Sequence, residues 1–184
     1  MRRRREALAL SLIVFALGAC KPGKKTTAEN LELTERYRVK SGLAVAHHPK
    51  VLAAAQVNDS VARLAPATAL GPFDADVEIF ISTTNAPATS VLDEYVRILH
   101  APLEADMKAW SETSRKASSC LGVYAGIELT ATFLSRENKK LRYWSCTFMH
   151  GGHGYKVAYV VPDSAASHDA PLLRKVIDAT EILN

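Results

Sequence analysis

Apolar and polar residues alternate with a period of two in several stretches of the chain, which is the pattern of strands covered on one face. The clearest alternation lies in Val77–Ser82 and again from Ile127 to Phe133. Two apolar stretches follow, Leu141–Met149 and Tyr155–Val161, each preceded by a short polar turn. The last three stretches therefore predict a three-stranded antiparallel meander.

Shorter strands are predicted in the N-terminal part of the chain. Tyr37–Val39 and Leu43–Ala46 are strand candidates separated by a turn that contains a glycine. Val51–Leu64 is rich in alanine and valine, and Asn58-Asp59 in its middle is typical of a turn. We therefore predict a strand pair that turns at Asn58-Asp59.

A helical period is clearest after Ser90, where apolar residues recur on one face as far as Trp110. Ser90 followed by Asp93 is a capping-box pattern. We predict a central helix over this stretch, with a kink near His100 because Pro102 interrupts helical hydrogen bonding.

Two more segments complete the order of elements. Ser111–Ser119 is largely polar and is predicted to be a loop. A last helix is predicted to start at Asp169 or Ala170, next to Pro171, and to run to about Ala179.

The two turns of the meander predict its register. If Gly151-Gly152 is a two-residue loop, its glycines meet the positive φ of a type I′ turn and His150 lies opposite His153. The other loop is taken as Glu137-Asn138. The predicted cross-strand pairs are Phe148–Tyr155, Cys146–Val157 and Trp144–Tyr159 at the first turn, and Ile127–Phe148, Leu129–Cys146 and Ala131–Trp144 at the second.

The start of the chain has the regions of a secretory signal peptide. Arg2–Arg5 is basic, and Ala7–Leu17 is almost wholly apolar but too short to span a bilayer. Leu17-Gly18-Ala19-Cys20 resembles the lipobox of bacterial lipoproteins, in which the cysteine sulfur is lipidated and becomes the first mature residue. This resemblance predicts lipidation of Cys20.

We accordingly expect a signal peptide over residues 1–19, the lipidated cysteine with a flexible tether over residues 20–30, and a single globular α+β domain over residues 31–184. The signal peptide contains four arginines and one glutamate, so 23 basic and 19 acidic residues become 19 and 18, and the net charge falls from +4 to +1. This balance gives no reason to expect a nucleic-acid partner. By resemblance to lipoprotein sorting rules, Lys21 favours the periplasmic face of the outer membrane.

Cys120 and Cys146 are the two cysteines that remain after Cys20. An oxidising periplasm favours a disulfide between them. The register does not bring them together by itself, because Cys120 precedes the strand at Ile127 by seven residues and the chain must fold back. The pair is therefore a candidate disulfide, and the sequence leaves its formation open.

Strands, a long helix, an antiparallel meander and a C-terminal helix form an α+β order. That order, with the Leu43–Pro49 opening and Tyr155–Pro162 before the last helix, resembles the PsbP-like sandwich fold. The resemblance implies an antiparallel sheet packed by the central and C-terminal helices. It also implies binding or assembly work, since this family includes photosystem subunits, a Ran-binding protein and envelope lipoproteins. A cystatin-like or NTF2-like fold is the alternative.

Catalytic residue types are present without a diagnostic motif. Ser164, His168 and Asp169 lie within six residues, but no Gly-x-Ser-x-Gly elbow surrounds the serine. Asp74 and Asp76 recur with Glu78 at a period of two, which is more typical of a solvated strand face than of a calcium loop.

Histidines and aromatic residues have equally plain structural explanations. His47-His48 would point to opposite faces of a strand. His150 and His153 are candidate metal ligands, but two imidazoles are too few for a structural zinc. We expect the meander's aromatic residues to pack in the core rather than to bind a ligand; they are Tyr143, Trp144, Phe148, Tyr155 and Tyr159.

The sequence thus predicts a lipid-anchored, non-enzymatic cell-envelope protein that needs no cofactor and binds or helps to assemble a protein partner. Two alternatives stay open. One is an immunity-type lipoprotein that occludes a periplasmic toxin, and the other is an envelope enzyme whose site has no recognised motif.

Overall fold

The computed structural model describes residues 26–68, 71–85 and 87–183; the predicted signal peptide and Cys20 lie outside them. The described strands are β1 (Glu35–Arg38), β2 (Ala44–His48), β3 (Leu52–Asn58), β4 (Val61–Pro66), β5 (Glu78–Thr84), β6 (Lys108–Cys120), β7 (Tyr124–Leu134), β8 (Lys140–His150), β9 (His153–Pro162) and β10 (Glu181–Ile182). The described helices are α1 (Leu92–Asp106) and α2 (Ala166–Asp178). Neither of these helices has the length and apolar character needed to cross a membrane.

Seven strands form an antiparallel sheet in the order β3-β4-β5-β9-β8-β7-β6, and β1, β2 and β10 form a second sheet. α1 packs on one face of the large sheet, whereas α2 and the small sheet pack on the other. This is the predicted α+β sandwich, so the predicted fold class is confirmed.

The central strands are buried on both faces. On β8, Trp144 and Phe148 belong to the core under α2, while Leu141 and Tyr143 belong to the core under α1. Because alternate residues of a strand point to opposite faces, one strand contributes to both cores. The continuous burial of β8 from Tyr143 to Phe148 follows from this double coverage.

Several predicted elements are confirmed. β3 and β4 form the expected pair that turns after Asn58, and β7, β8 and β9 form the meander. The β8–β9 register is also as predicted, with His150 opposite His153 and Phe148 opposite Tyr155. Gly151 and Gly152 have φ values of 58° and 79°, as the tight turn requires.

The predicted β7–β8 register is wrong by one residue. The turn spans five residues rather than two: the N–H of Ser135 donates to the carbonyl of Lys139, and Asn138 has a φ of 61°. Ile127 therefore pairs with Thr147, Leu129 with Ser145 and Ala131 with Tyr143. The apolar side chains of β7 point toward α1 instead of joining Trp144, Cys146 and Phe148, because the sheet has a second core to receive them.

The predicted loop Ser111–Ser119 is wrong as well, since these residues lie in β6. This strand pairs with β7 at the edge of the sheet, with irregularities between Lys108 and Ser111 and between Glu112 and Ser114. Ten of its thirteen residues are exposed, so its side chains carry no hydrophobic period. Its order comes from the backbone ladder with β7.

The helix ends also differ from the prediction. α1 stops at Asp106, which leaves Trp110 in β6. Ser90 does not cap it; the Thr89 hydroxyl instead accepts the N–H of Val91 and donates to Glu94 Oε2 at 2.8 Å. α2 begins at Ala166, three residues before the earlier of its two predicted starts. β10 was not predicted, because a two-residue strand is too short to show a period.

Candidate binding surfaces

The candidate triad is not assembled. His168 Nδ1 lies 2.6 Å from Asp169 Oδ1, but no hydrogen bond joins Ser164 to His168 among the described residues. Asp169 is buried, and its Oδ2 accepts the backbone N–H of Asp74 at 2.9 Å. The aspartate thus ties α2 to the segment before β5, which is a structural role.

The acidic residues near β5 each have a partner. Asp74 accepts the N–H of Asp76, Asp76 forms an ion pair with Lys139 at 2.6 Å, and Glu78 pairs with Arg63. No group of three or more histidine, cysteine, aspartate or glutamate side chains suited to a metal occurs among residues 26–68, 71–85 and 87–183.

The two histidine pairs lie in different sheets. His150 and His153 face each other across the β8–β9 turn, and the ring of His150 packs 4.9 Å from that of Tyr124. His47 Nε2 lies 2.8 Å from Glu181 Oε1, whereas His48 is buried and its Nδ1 lies 3.1 Å from the carbonyl of Pro49.

A disulfide joins Cys120 at the end of β6 to Cys146 in β8, with the Cα atoms 5.6 Å apart. The bridge passes over β7 at Gly126. A Cβ at this glycine would overlap Cys120 Sγ and the carbonyl oxygen of Thr147. The absence of a side chain at Gly126 therefore makes room for the bridge.

The aromatic residues of the meander divide between the two cores. On the α2 side, the rings of Trp144 and Tyr159 stack at 5.4 Å, and the Arg174 guanidinium lies 4.0 Å from the Trp144 ring centroid. Tyr143 lies on the opposite face, 5.4 Å from Trp110. These contacts are internal packing, so the five residues do not form one ligand-binding patch.

A groove lies on the α1 side of the large sheet, where the helix covers only part of the strands. We call it the α1 groove; its volume is about 540 Å³. Its apolar lining consists of Val61, Ala75, Phe80, Leu103, Met107, Trp110, Phe133, Leu141, Tyr143, Ala158 and Val160. A cavity of this size and lining is typical of a binding site for a small molecule.

Three basic side chains are among the described residues that line the α1 groove. Arg63 pairs with Glu78, and Lys139 pairs with Asp76. Lys156 has no hydrogen-bond or ion-pair partner among the described residues. Burial lowers the pKa of Lys156 to about 8, so its ammonium is still mostly charged at neutral pH.

Trp110 supplies a second unpaired polar group. Its ring lies against Phe133 and Tyr143 in the wall of the α1 groove. The Nε1–H is buried and has no hydrogen-bond partner within the described part of the chain. A buried indole N–H usually finds an acceptor, so a donor without one in a groove wall is an unusual feature.

His100 holds α1 against β8. Its Nδ1 lies 2.8 Å from the carbonyl of Val96, which can only accept, so Nδ1 carries the proton. Nε2 then accepts from the hydroxyls of Tyr143 and Ser145 at 3.2 and 3.1 Å. Burial lowers the pKa of His100 to about 4 and raises the pKa of Tyr143, so both are neutral at pH 7.

The outer edge of β6 is a second candidate surface. From Arg115 to Ser119 the pairing with β7 is regular, and no other described strand lies on the opposite side. We call this segment the β6 edge. Lys116 at its centre pairs with Glu128 at 3.2 Å but stays 61% exposed.

The sequence alone indicates no functional role for the residues of the α1 groove or of the β6 edge. Lys156 is a lone lysine in an apolar strand, and that mismatch is the one signal that was available. The sequence predicts a helix through Trp110 and a loop over Ser111–Ser119. It therefore predicts neither the α1 groove nor the β6 edge.

No known family model and no curated protein matches this sequence. Solved structures of the same fold do match. CyanoP, the PsbP protein of Synechocystis sp. PCC 6803, is 10% identical with a TM-score of 0.59, over 81% of this chain and 92% of that chain. The Saccharomyces cerevisiae Ran-binding protein Mog1p is 10% identical with a TM-score of 0.58, over 82% and 95%.

A third similar structure is LpqN of Mycobacterium tuberculosis, described as involved in cell envelope biogenesis. It is 8% identical with a TM-score of 0.50, over 77% of this chain and 83% of that chain. At such identities the likeness shows the fold alone. The fold is the PsbP- and Mog1-like α+β sandwich.

Proposed function

We propose that this protein is a lipid-anchored, non-enzymatic component of the bacterial cell envelope that binds a protein partner. The anchor rests on the lipobox-like Leu17-Gly18-Ala19-Cys20. The partner class is supported by the similar structures, one described as Ran-binding and one as involved in cell envelope biogenesis.

The proposal rests mainly on the length and exposure of the edge strand β6. The strand is thirteen residues long, whereas strands average about five or six, and ten of its residues are exposed. A strand whose side chains are mostly exposed adds little apolar surface to the core. Its free edge presents backbone donors and acceptors, to which an extended segment of another protein can add as a further strand.

The irregularities of β6 direct that addition to one part of the strand. They lie between Lys108 and Ser114, where they interrupt the edge. The β6 edge from Arg115 to Ser119 is free of them, and it lies next to the disulfide at Cys120 that holds the strand to the sheet. We therefore place the partner's strand on the β6 edge.

The absence of a catalytic role is supported by the bonds of the candidate groups. Asp169 is used to hold the N–H of Asp74, and Asp76 and Glu78 are used in ion pairs. These carboxylates are therefore engaged in structural contacts.

A photocrosslinking experiment in the protein's own cells tests the proposal. A benzophenone amino acid is placed at Ser119 on the β6 edge, and at the exposed Lys50 as a matched control. We expect a discrete crosslink to one envelope protein from position 119 and none from position 50. The same products from both positions, or no protein product from position 119, would contradict partner binding at this edge.

The anchor is tested separately by Cys20→Ser. Because the cysteine sulfur is the expected lipid acceptor, the variant is expected to lose lipidation and lipobox-type cleavage, and the wild-type mature mass to include acyl chains. An unmodified wild-type mass would contradict the anchor without affecting the crosslinking result.

A further inference from the structure

We propose that the α1 groove binds a single-chain amphiphile with an anionic head group, whose chain lies against the apolar walls and whose head pairs with Lys156. This inference goes beyond the proposed function, because the groove and the β6 edge are separate surfaces. It rests on the groove's lining and on the two unpaired polar groups within it.

The walls determine the apolar part of the ligand. Leu103 and Met107 of α1, Trp110 of β6 and Phe80 of β5 surround a space of about 540 Å³, within the roughly 300–1,000 Å³ of ordinary ligand pockets. Aliphatic, thioether and aromatic side chains of this kind suit a flexible alkyl chain.

Lys156 determines the head group. A lysine among apolar residues costs free energy unless an anion pairs with it, and the structure supplies that anion to Arg63 and Lys139 but not to Lys156. It projects from β9 on the same face as Ala158 and Val160, which belong to the groove lining. An incoming carboxylate or phosphate oxygen would provide the missing partner.

Trp110 adds an independent requirement for an acceptor. Its ring lines the same groove, and its buried Nε1–H lacks a partner in the described residues. Two donors that lack acceptors in one largely apolar groove, whose carboxylates Asp76 and Glu78 are already paired, favour a ligand that brings oxygen acceptors. A cationic amphiphile would satisfy neither, and it would meet the charge of Lys156.

Calorimetric titration with amphiphiles of equal chain length tests this proposal. The chain from Lys21 onward is used, because every described strand and helix lies after that residue. The probes are decanoate, decyl phosphate and decyltrimethylammonium below their micellar concentrations. We expect saturable one-to-one binding of an anionic probe, and comparison of decanoate with decyl phosphate distinguishes a fatty-acid head from a phosphate head.

Two variants identify the role of the charge. Lys156→Met keeps the apolar stem and is expected to weaken anionic binding at least tenfold, while Lys50→Met changes an exposed lysine outside the groove and should have no effect. Removing one methylene from the anionic probe should weaken binding about fourfold. Equal binding of the anionic probes to wild type and Lys156→Met, equal binding of the cationic probe, or no saturable binding would overturn the proposal.

Discussion

At the scale of single residues, His100 shows how burial sets a protonation state. The imidazole is 1% exposed, donates from Nδ1 to Val96 and accepts at Nε2 from two hydroxyls. A proton on Nε2 would require the Tyr143 and Ser145 hydroxyls, which donate to it in the neutral state, to turn and accept instead. The neutral Nδ1–H tautomer is therefore part of the packing between α1 and β8.

This arrangement predicts acid sensitivity. The pKa of His100 is about 4 in the folded state and about 6.5 when unfolded, so between these values the unfolded chain holds the extra proton. Its contribution to stability is complete above pH 6.5 and is lost as the pH falls toward 4, at a cost of up to about 3 kcal/mol. Urea unfolding from pH 7 to pH 4.5 measures the loss.

His100→Gln is the control for this prediction, since glutamine does not titrate and can still offer an acceptor. The variant should show a shallower loss of stability with acid than the wild type. Parallel curves for the two proteins would assign the acid sensitivity to other groups.

Lys156 predicts a pH dependence of the same sign in a more alkaline range, because its folded pKa is also lowered. Its folded pKa of about 8 lies below the unfolded 10.5, so the charged lysine destabilises the fold below pH 8, and this cost disappears as the pH rises to 10.5. Since Lys156 is partly exposed, we expect Lys156→Met to raise the free energy of unfolding at pH 7 by about 1–2 kcal/mol. A variant no more stable than wild type would show that the ammonium is well solvated.

At the scale of elements, the sequence predicts the turns that depend on a few neighbouring residues. It does not predict which faces of the sheet are covered by elements distant in the chain. The β8–β9 register follows from two glycines that adopt positive φ, which is information held within four residues. The β7–β8 register depends on a five-residue turn with Asn138 at positive φ, and the sequence allows a shorter loop. Both registers bury apolar residues here, because the sheet has a core on each face.

β6 was unpredictable for a different reason. Hydrophobic alternation reports burial of one face, and the segment Ser111–Ser119 is exposed on both faces apart from Ser118. Its strand geometry comes from hydrogen bonds to β7, which do not depend on side-chain type. Both the β6 edge and the position of Trp110 in the groove wall were therefore hidden from sequence reasoning.

The packing of α1 on β9 provides a test at this scale. Gly154 lies opposite Thr84, and the Tyr95 hydroxyl donates to Thr84 Oγ1 at 2.9 Å. A Cβ at Gly154 would overlap the Tyr95 ring. We expect Gly154→Ala to push α1 away from the sheet and to destabilise the protein by about 1–3 kcal/mol, measured by urea unfolding.

Gly152→Ala is a useful comparison. No atom lies within 4 Å of a Cβ at Gly152, but its φ is 79°. The cost there is backbone strain at the turn, so the environment of Tyr95 should stay unchanged in its NMR spectrum. A Gly154→Ala protein with wild-type stability would contradict the close approach of Tyr95.

At the scale of the whole molecule, the two faces of the large sheet are covered unequally. α2 and the small sheet bury one face, while the fifteen residues of α1, about 22 Å long, leave the other face partly open. The α1 groove is the consequence. Its existence depends on how α1 and the strands β4 to β9 are placed, and no pattern within one element predicts it.

The disulfide joins the two strands on either side of β7, so its removal should destabilise the protein. Cys120 and Cys146 are 26 residues apart, and a closed loop of that length restricts the unfolded chain by about 3–4 kcal/mol. We expect the double variant Cys120→Ala/Cys146→Ala to lose about that much free energy of unfolding. Because the bridge fixes the end of β6, hydrogen exchange should increase more along Arg115–Ser119 than in β5. Thiol counting on unfolded, unreduced wild type is the direct check, and two free thiols would show that the bridge is absent.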